Sequence, residues 1–435
     1  MKHIFFFTIL SACAFVNVQA SVLSIDSAIS LALKNNYDLL IAHNSSEIAK
    51  INNTAGNAGM LPSVSISGTD NQAFNIVNQK TSSGANTNNL SVRSNSASAG
   101  AELNWTLFDG GKMFVTKKAL NEIDSLGQIQ FKDKVLQTAY SVVEAYYNVV
   151  RQKQESALLS EVLSYNTDRV SIIQTEFTAG LMPKTTLLQA QIDLNVYKEN
   201  AITQDNVIKT AKRSLNVLLG RNPSTEFDVQ DSIPLDFNPD TASILEKLYA
   251  NNTSILSYKK QLVVSRLNIK EISALRYPKI NLNAGYDFSN IDNSAGSTLL
   301  NRTSGPYIGG AISIPVYQSG EISRRIANAK LQMESAQYDL DNATRQAEAR
   351  LRNSIDEFES QNRLLIIEKN NSLLAKENLD ISMQRMRLGQ STSLELRQAE
   401  ESYEEARTRQ INIEYNLKMA ETSLKQLLAD FESIR

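Results

Sequence analysis

Two periodicities divide the chain. Over 97–108, Ala97, Ala99, Ala101, Leu103, Trp105 and Leu107 alternate with Ser98, Gly100, Glu102, Asn104 and Thr106. "KINLNAGYDF" (279–288) alternates in the same way, and Pro62–Gly68 and Pro306–Tyr317 do so more weakly. A period of two predicts strands with one apolar and one polar face. Elsewhere the step changes to three and four: Leu136, Ala139, Val143, Tyr146 and Val150, then Ala336, Leu340, Ala343, Ala347 and Leu351. These are helical seams, with small residues that suit close, coiled-coil-like approach. None of the eight prolines falls within 112–179 or 321–388, as two unbroken helices require. Each run is long enough for a helix of roughly 100 Å.

Both long helices stop at a glycine and resume at once. "EFTAGLMPKTTLLQAQ" (176–191) breaks at Gly180, and "RMRLGQSTSLELRQAE" (385–400) breaks at Gly389, each with Gln-Ala following at the same distance. The same 209 residues separate Phe108 from Tyr317, Gly180 from Gly389, and Leu219 from Leu428. One spacing held by three markers indicates an internal duplication. The first repeat is read as 21–220, with a hairpin over 62–108 and helices over 112–179 and 183–220. A linker over 221–240 leads to the second repeat, 241–430, with a hairpin over 278–317 and helices over 321–388 and 391–430. A short tail, 431–435, follows. Polar stretches, Thr69–Ser96 and Ser289–Gly305, are expected as the hairpin tips.

Composition narrows the setting. The 435 residues carry a formal charge of −2, which offers no nucleic-acid surface. The opening "MKHIFFFTILSACAFVNVQA" has a basic start, an apolar run and a small-residue end, the pattern of a secretory signal peptide over 1–20. Leu10-Ser11-Ala12-Cys13 also matches a lipoprotein cleavage box, so cleavage after Ala20 and lipidation at Cys13 both stand. No later segment approaches the ~20 apolar residues of a spanning helix. An antiparallel sheet on a soluble core would alternate in the same way. Export and a small, neutral polar face favour strands that cross an outer membrane. Four strands cannot close a barrel whose smallest form has about eight, so several copies would share one. The alternative is a soluble periplasmic coiled-coil interaction protein whose sheets cap long hairpins.

"LSIDSAISLALKNNYDLLIA", "LPSVSISG", "LNWTLFDGGK", "EAYYNVV" and the two glycine breaks, in this order and echoed in the second half, resemble the TolC family of outer-membrane efflux and secretion channels. The resemblance covers essentially the whole chain after residue 20. It implies an α+β membrane channel: a homotrimer whose twelve strands form one outer-membrane β-barrel, continuing into a long periplasmic α-helical barrel. It implies partnership with a periplasmic adaptor and an inner-membrane pump of RND, ABC or MFS type. No enzymatic activity, cofactor or metal is expected. The sequence departs from the family in having Tyr37 where proline usually follows the paired asparagines.

The resemblance places adaptor docking at the helical turns, on Gly180, Leu181, Met182, Leu388, Gly389, Gln390 and Ser391. Acidic residues after each turn narrow the pore in relatives. The matching positions here are Thr186 and Glu395, so only one acidic ring is supported. Trp105, Phe108, Tyr286, Phe288, Tyr307 and Tyr317 fit interfacial aromatic girdles of a barrel. His43 is the only histidine after the signal segment, and no phosphate loop, paired cysteines or Ser/His arrangement suggests catalysis.

Overall fold

Helix seams and strand alternation translate into fourteen elements among the residues that the computed structural model describes: 22–430, apart from 81, 83, 85, 236, 238–242 and 297. The signal segment with Cys13, the 431–435 tail and part of the linker lie outside the described residues. The first half runs β1 (Val22–Leu23), α1 (Ile25–Asn35), α2 (Tyr37–Asn52), β2 (Ser63–Lys80), β3 (Asn86–Asp109), α3 (Lys112–Thr178) and α4 (Lys184–Leu218). The second half repeats that order: β4 (Asp228–Val229), α5 (Ile244–Asn251), α6 (Thr253–Ala274), β5 (Lys279–Asn293), β6 (Leu300–Ser313), α7 (Glu321–Arg387) and α8 (Ser393–Leu427). Helices α3 and α7 both have 67 residues, and α4 and α8 both have 35.

Compact units do not follow the sequence halves. Among the described residues, one unit gathers 22–40, 134–248 and 349–430; the other is Ile41–Asp133 with Tyr249–Glu348. Each half contributes to both.

The second of these units holds a four-stranded antiparallel sheet ordered β2-β3-β5-β6. Its register places Ile66, Ala101, Tyr286 and Pro306 in one row and Val64, Leu103, Ala284 and Ile308 in another, all on one face. The opposite face has rows such as Ser65, Glu102, Gly285 and Tyr307, and Ser67, Gly100, Asp287 and Gly305. Glycines on this face let neighbours lie flat. A Cβ at Gly285 would come within 2.8 Å of the Tyr307 ring, and one at Gly100 within 2.4 Å of Asp287 Oδ1. The apolar face is not a buried core: Ile66 is 85% exposed and Ile308 77%.

Four strand expectations need correction. The polar stretch Thr69–Ser96 is not a long tip, because the ladder continues through it to Lys80 and resumes at Asn86, and Thr69 and Ser98 hydroxyls meet across strands at 2.7 Å. Ser289–Gly305 likewise shortens to the gap between Asn293 and Leu300. Strand β6 starts earlier than Pro306 and stops at Ser313, since Pro315 has no N–H for a ladder. A bulge between Thr106 and Phe108 moves the count by one, so Phe108 rather than Leu107 pairs in the row of Ile280 and Ile312.

The other unit is built on the seam read from the sequence. Leu136, Ala139, Val143, Tyr146 and Val150 are all buried, with Leu23, Ile29, Leu215, Leu219, Phe227 and Val229 around them. The Tyr146 hydroxyl donates to Leu23 O at 2.8 Å, holding β1 where it pairs in parallel with β4. Asn36 caps the helix that begins at Tyr37. Its Oδ1 accepts from Leu39 N at 3.1 Å, capping α2, while its Nδ2 donates to Leu218 O at 2.9 Å. Asn252 repeats the cap on α6, accepting from Ile255 N at 3.1 Å.

Candidate functional site

The two hairpin turns share one backbone solution. Gly180 has φ 75° and donates to Phe177 O at 3.0 Å, while Leu181 N reaches Glu176 O at 2.9 Å. Gly389 has φ 70°, with Gly389 N to Met386 O at 2.9 Å and Gln390 N to Arg385 O at 2.8 Å. Both are Schellman closures, which satisfy the last carbonyls of a helix and call for a left-handed residue. Leu181 and Leu388 are left 77% and 71% exposed on the tips.

The helices restart differently. Pro183 occupies the N-cap of α4 at φ −67° with no side-chain cap, and its carbonyl accepts from Thr186 N at 3.1 Å. Helix α8 instead opens with a capping box. Glu395 N donates to Thr392 Oγ1 at 3.2 Å, and Thr392 N donates to Glu395 Oε2 at 3.3 Å. Ser391 Oγ adds a 2.7 Å bond to the same carboxylate oxygen. The Ser391 and Thr392 hydrogen bonds, helped by Arg385, hold the Glu395 carboxyl below the usual range, so it is ionised at neutral pH. Met182, Thr186, Gln189, Ser391, Thr392 and Arg397 line one open cleft of about 510 Å³. The structure thus brings Met182, Thr186 and Ser391 together, while Leu181 and Leu388 stay exposed.

Behind the tips lies a polar network. Arg169 on α3 is 1% exposed. Its Nη2 donates to Asn166 Oδ1 at 2.7 Å and to Asp193 Oδ2 on α4 at 3.0 Å; its Nη1 stands 3.0 Å from Glu400 Oε2 on α8. Nearby, the Lys376 ammonium of α7 meets the Glu161 carboxylate and the Tyr165 hydroxyl, 4.5 Å and 5.1 Å from the rings of Tyr165 and Tyr403. Tyr165 donates to Asp380 at 2.7 Å and Tyr403 to Glu161 at 2.9 Å. More exposed, Arg387 bonds Asp168 at 2.8 Å. The sequence reading missed all of these. A signal was present: Leu158, Val162, Asn166, Arg169 and Ile173 form one seam with two polar members, a pattern that marks a polar inclusion between helices.

The aromatic set separates. Trp105, Phe108, Tyr286 and Phe288 share the apolar face, and Trp105 Nε1 donates to Met60 O at 3.0 Å. Tyr307 departs from them: the register turns it to the opposite face, over Gly285, because it pairs with Gly285 rather than Tyr286. Tyr317 lies beyond the end of β6, exposed ahead of α7. Among the described residues, no three His, Cys, Asp or Glu side chains are grouped to hold a metal. No described helix is long and apolar enough to cross a membrane, which leaves strands untested.

A family model described as outer membrane efflux protein matches residues 28–221 and 244–430. Outer membrane efflux protein BepC of Brucella suis is 23% identical over 330 residues, 75% of this chain and 70% of that protein. Outer membrane protein TolC of Escherichia coli is 22% identical over 356 residues, 78% of this chain and 70% of that protein. Among solved structures, CusC, studied for its folding and transmembrane channel formation, superimposes with a TM-score of 0.78. It is 18% identical, over 94% of this chain and 92% of that one.

The unequal restarts can be tested directly. Thr392→Ala removes the capping box and is expected to destabilise the start of α8 by about 1 kcal/mol. Amide exchange over 393–397 should speed up several-fold while 184–188 is unchanged; an unchanged rate over 393–397 would show that the box does not hold α8.

Proposed function

This chain belongs to the outer membrane efflux protein family, and on that footing we propose how it is assembled and where it is engaged. It is an outer-membrane channel, the exit duct for efflux or type I secretion, with a periplasmic helical extension. Three copies would join their four-stranded sheets into one twelve-stranded barrel, with the two halves of each chain as internal repeats. The observation that carries this reading is the exposed apolar face of the sheet between two unpaired edges, β2 and β6. A water-soluble chain does not leave such a face and such edges open. The soluble coiled-coil alternative is therefore set aside.

Exposed apolar residues also recur on the helices: Leu188, Ile192 and Val196 on α4, and Ile366, Leu373, Leu374 and Ile381 on α7. The four-residue steps on α4, and the seven-residue steps on α7 from Ile366 to Leu373 and from Leu374 to Ile381, support contact with neighbouring copies. The repeated element order and the matched helix lengths support the duplication. Gly180, Leu181, Met182, Leu388, Gly389, Gln390 and Ser391 are proposed as the adaptor-docking tips, with an inner-membrane pump of RND, ABC or MFS type behind the adaptor. Glu395, ionised and fixed by its capping box, is proposed as the acidic ring of the pore mouth, with Thr186 as its uncharged counterpart. Trp105, Phe108, Tyr286 and Phe288 are proposed to face lipid.

The sheet orientation gives a paired test. Ile66→Arg puts a charge on the apolar face, at a cost of about 2–4 kcal/mol per copy if it sits near the bilayer midplane. Heat-resistant oligomers in the outer-membrane fraction should be lost. Ser67→Arg, on the polar face, should assemble normally; the reverse pattern would invert the assigned faces. For docking, Gly180→Trp with Gly389→Trp should abolish co-purification of a co-expressed adaptor while oligomers persist. Unchanged co-purification would remove the tips from the interface. For the pore, Glu395→Gln should lower the cation preference of single channels in planar bilayers. An unaltered preference would take Glu395 out of the gate.

A further inference from the structure

The buried cluster around Arg169 has more negative than positive charge. Arg169 faces Glu400, 1% exposed, and Asp193, about one-fifth exposed. Tyr197 on α4 donates to Glu404 Oε2 at 3.0 Å, and α8 itself adds Glu401, more exposed and paired with Arg397 at 3.7 Å. The charged groups of α7 in this region are engaged elsewhere: Lys376 with Glu161, Asp380 with Tyr165, and Arg387 with Asp168. Leu379, Met383 and Met386 fill the apolar surroundings. One guanidinium therefore serves two carboxylates in contact. Glu400 Oε1 is buried without a hydrogen-bond partner, and so are Arg169 Nε and Nη1, the last in ion-pair contact alone with Glu400 Oε2. Burying an ionised oxygen with no donor is costly, and a neutral carboxyl is far cheaper to bury.

We propose that Glu400 is a proton-operated clamp: taking up one proton balances the Arg169–Asp193 pair and tightens the join of α3, α4 and α8 behind the hairpin tips. Mild acid would then stiffen this part of the bundle, and mild base would loosen it. The carboxyl supports this by its position in the titration range. Burial pushes it up to about 7, with Arg169 opposing and Asp193, Glu401 and Glu404 adding to the rise. A carboxyl raised above its ordinary 4.5 holds a proton in the folded chain that the unfolded chain gives up. The resulting stability is present below that ordinary value and is lost as the pH climbs through about 7.

The test uses the full-length protein in detergent and reads amide protection, corrected for intrinsic exchange, over 162–173 and 396–403. In the wild type, protection should rise by up to about tenfold from about pH 8 to about pH 6. Glu400→Gln should show the same protection at both, close to the wild-type value in acid. A wild type with no rise, or a Glu400→Gln chain that keeps the rise, would overturn the clamp. If Glu400→Gln does not assemble, Asp193→Asn removes the same surplus charge and must shrink the rise; an undiminished rise would again overturn it. The readout is local and independent of transport, so it stands or falls apart from the channel reading.

Discussion

Strands β2 and β6 end the sheet with one ladder side unfulfilled, and the proposed assembly depends on that fact. Each edge presents N–H and C=O groups that hydrocarbon cannot solvate, at several kcal/mol per group left unpaired. Within one chain the order β2-β3-β5-β6 offers no closure. A sheet with an apolar face and open edges can exist in a bilayer only as part of a larger ring. The proposed trimer answers that demand, and in it the polar face, smoothed where Tyr307 and Asp287 lie over glycines, becomes the wall of a passage.

The helical part solves a different problem. Helices of 67 residues need a seam that continues without a compact core, and the chain supplies one with alanine, valine and leucine at three- and four-residue steps. That seam is interrupted where Asn166 and Arg169 meet Asp193 and Glu400. Apolar residues would pack there at lower desolvation cost. What the polar residues add is a join among α3, α4 and α8 that is specific in register and responsive to charge.

Much of this was legible in the residues because two periods carry most of the information. The seam from Leu136 to Val150 is buried as expected, and both glycine breaks adopt left-handed backbone. The misreadings arose where the period carries no contrast. Through Thr69–Ser96, small polar residues predominate and only a few apolar residues such as Phe74 and Ile76 keep the alternation, so the period is hard to read although the ladder continues. The bulge at Thr106 shifts parity by one residue without any marker in composition. Tyr307 looked like its neighbours in chemistry, and only the register with Gly285 assigns its face. Arg169 was hidden for the opposite reason: a charged residue on a long helix ordinarily faces water, and its burial depends on partners 24 and 231 positions away.

The two tips carry one further consequence. They are copies in backbone shape, yet one is stiffened by the covalent ring of Pro183 and the other by exchangeable contacts among Ser391, Thr392 and Glu395. If the two halves are the proposed repeats, turns that share one backbone shape have become mechanically unequal. A ring of such tips would alternate between fixed hinges and yielding ones, giving the rim a built-in asymmetry within every subunit.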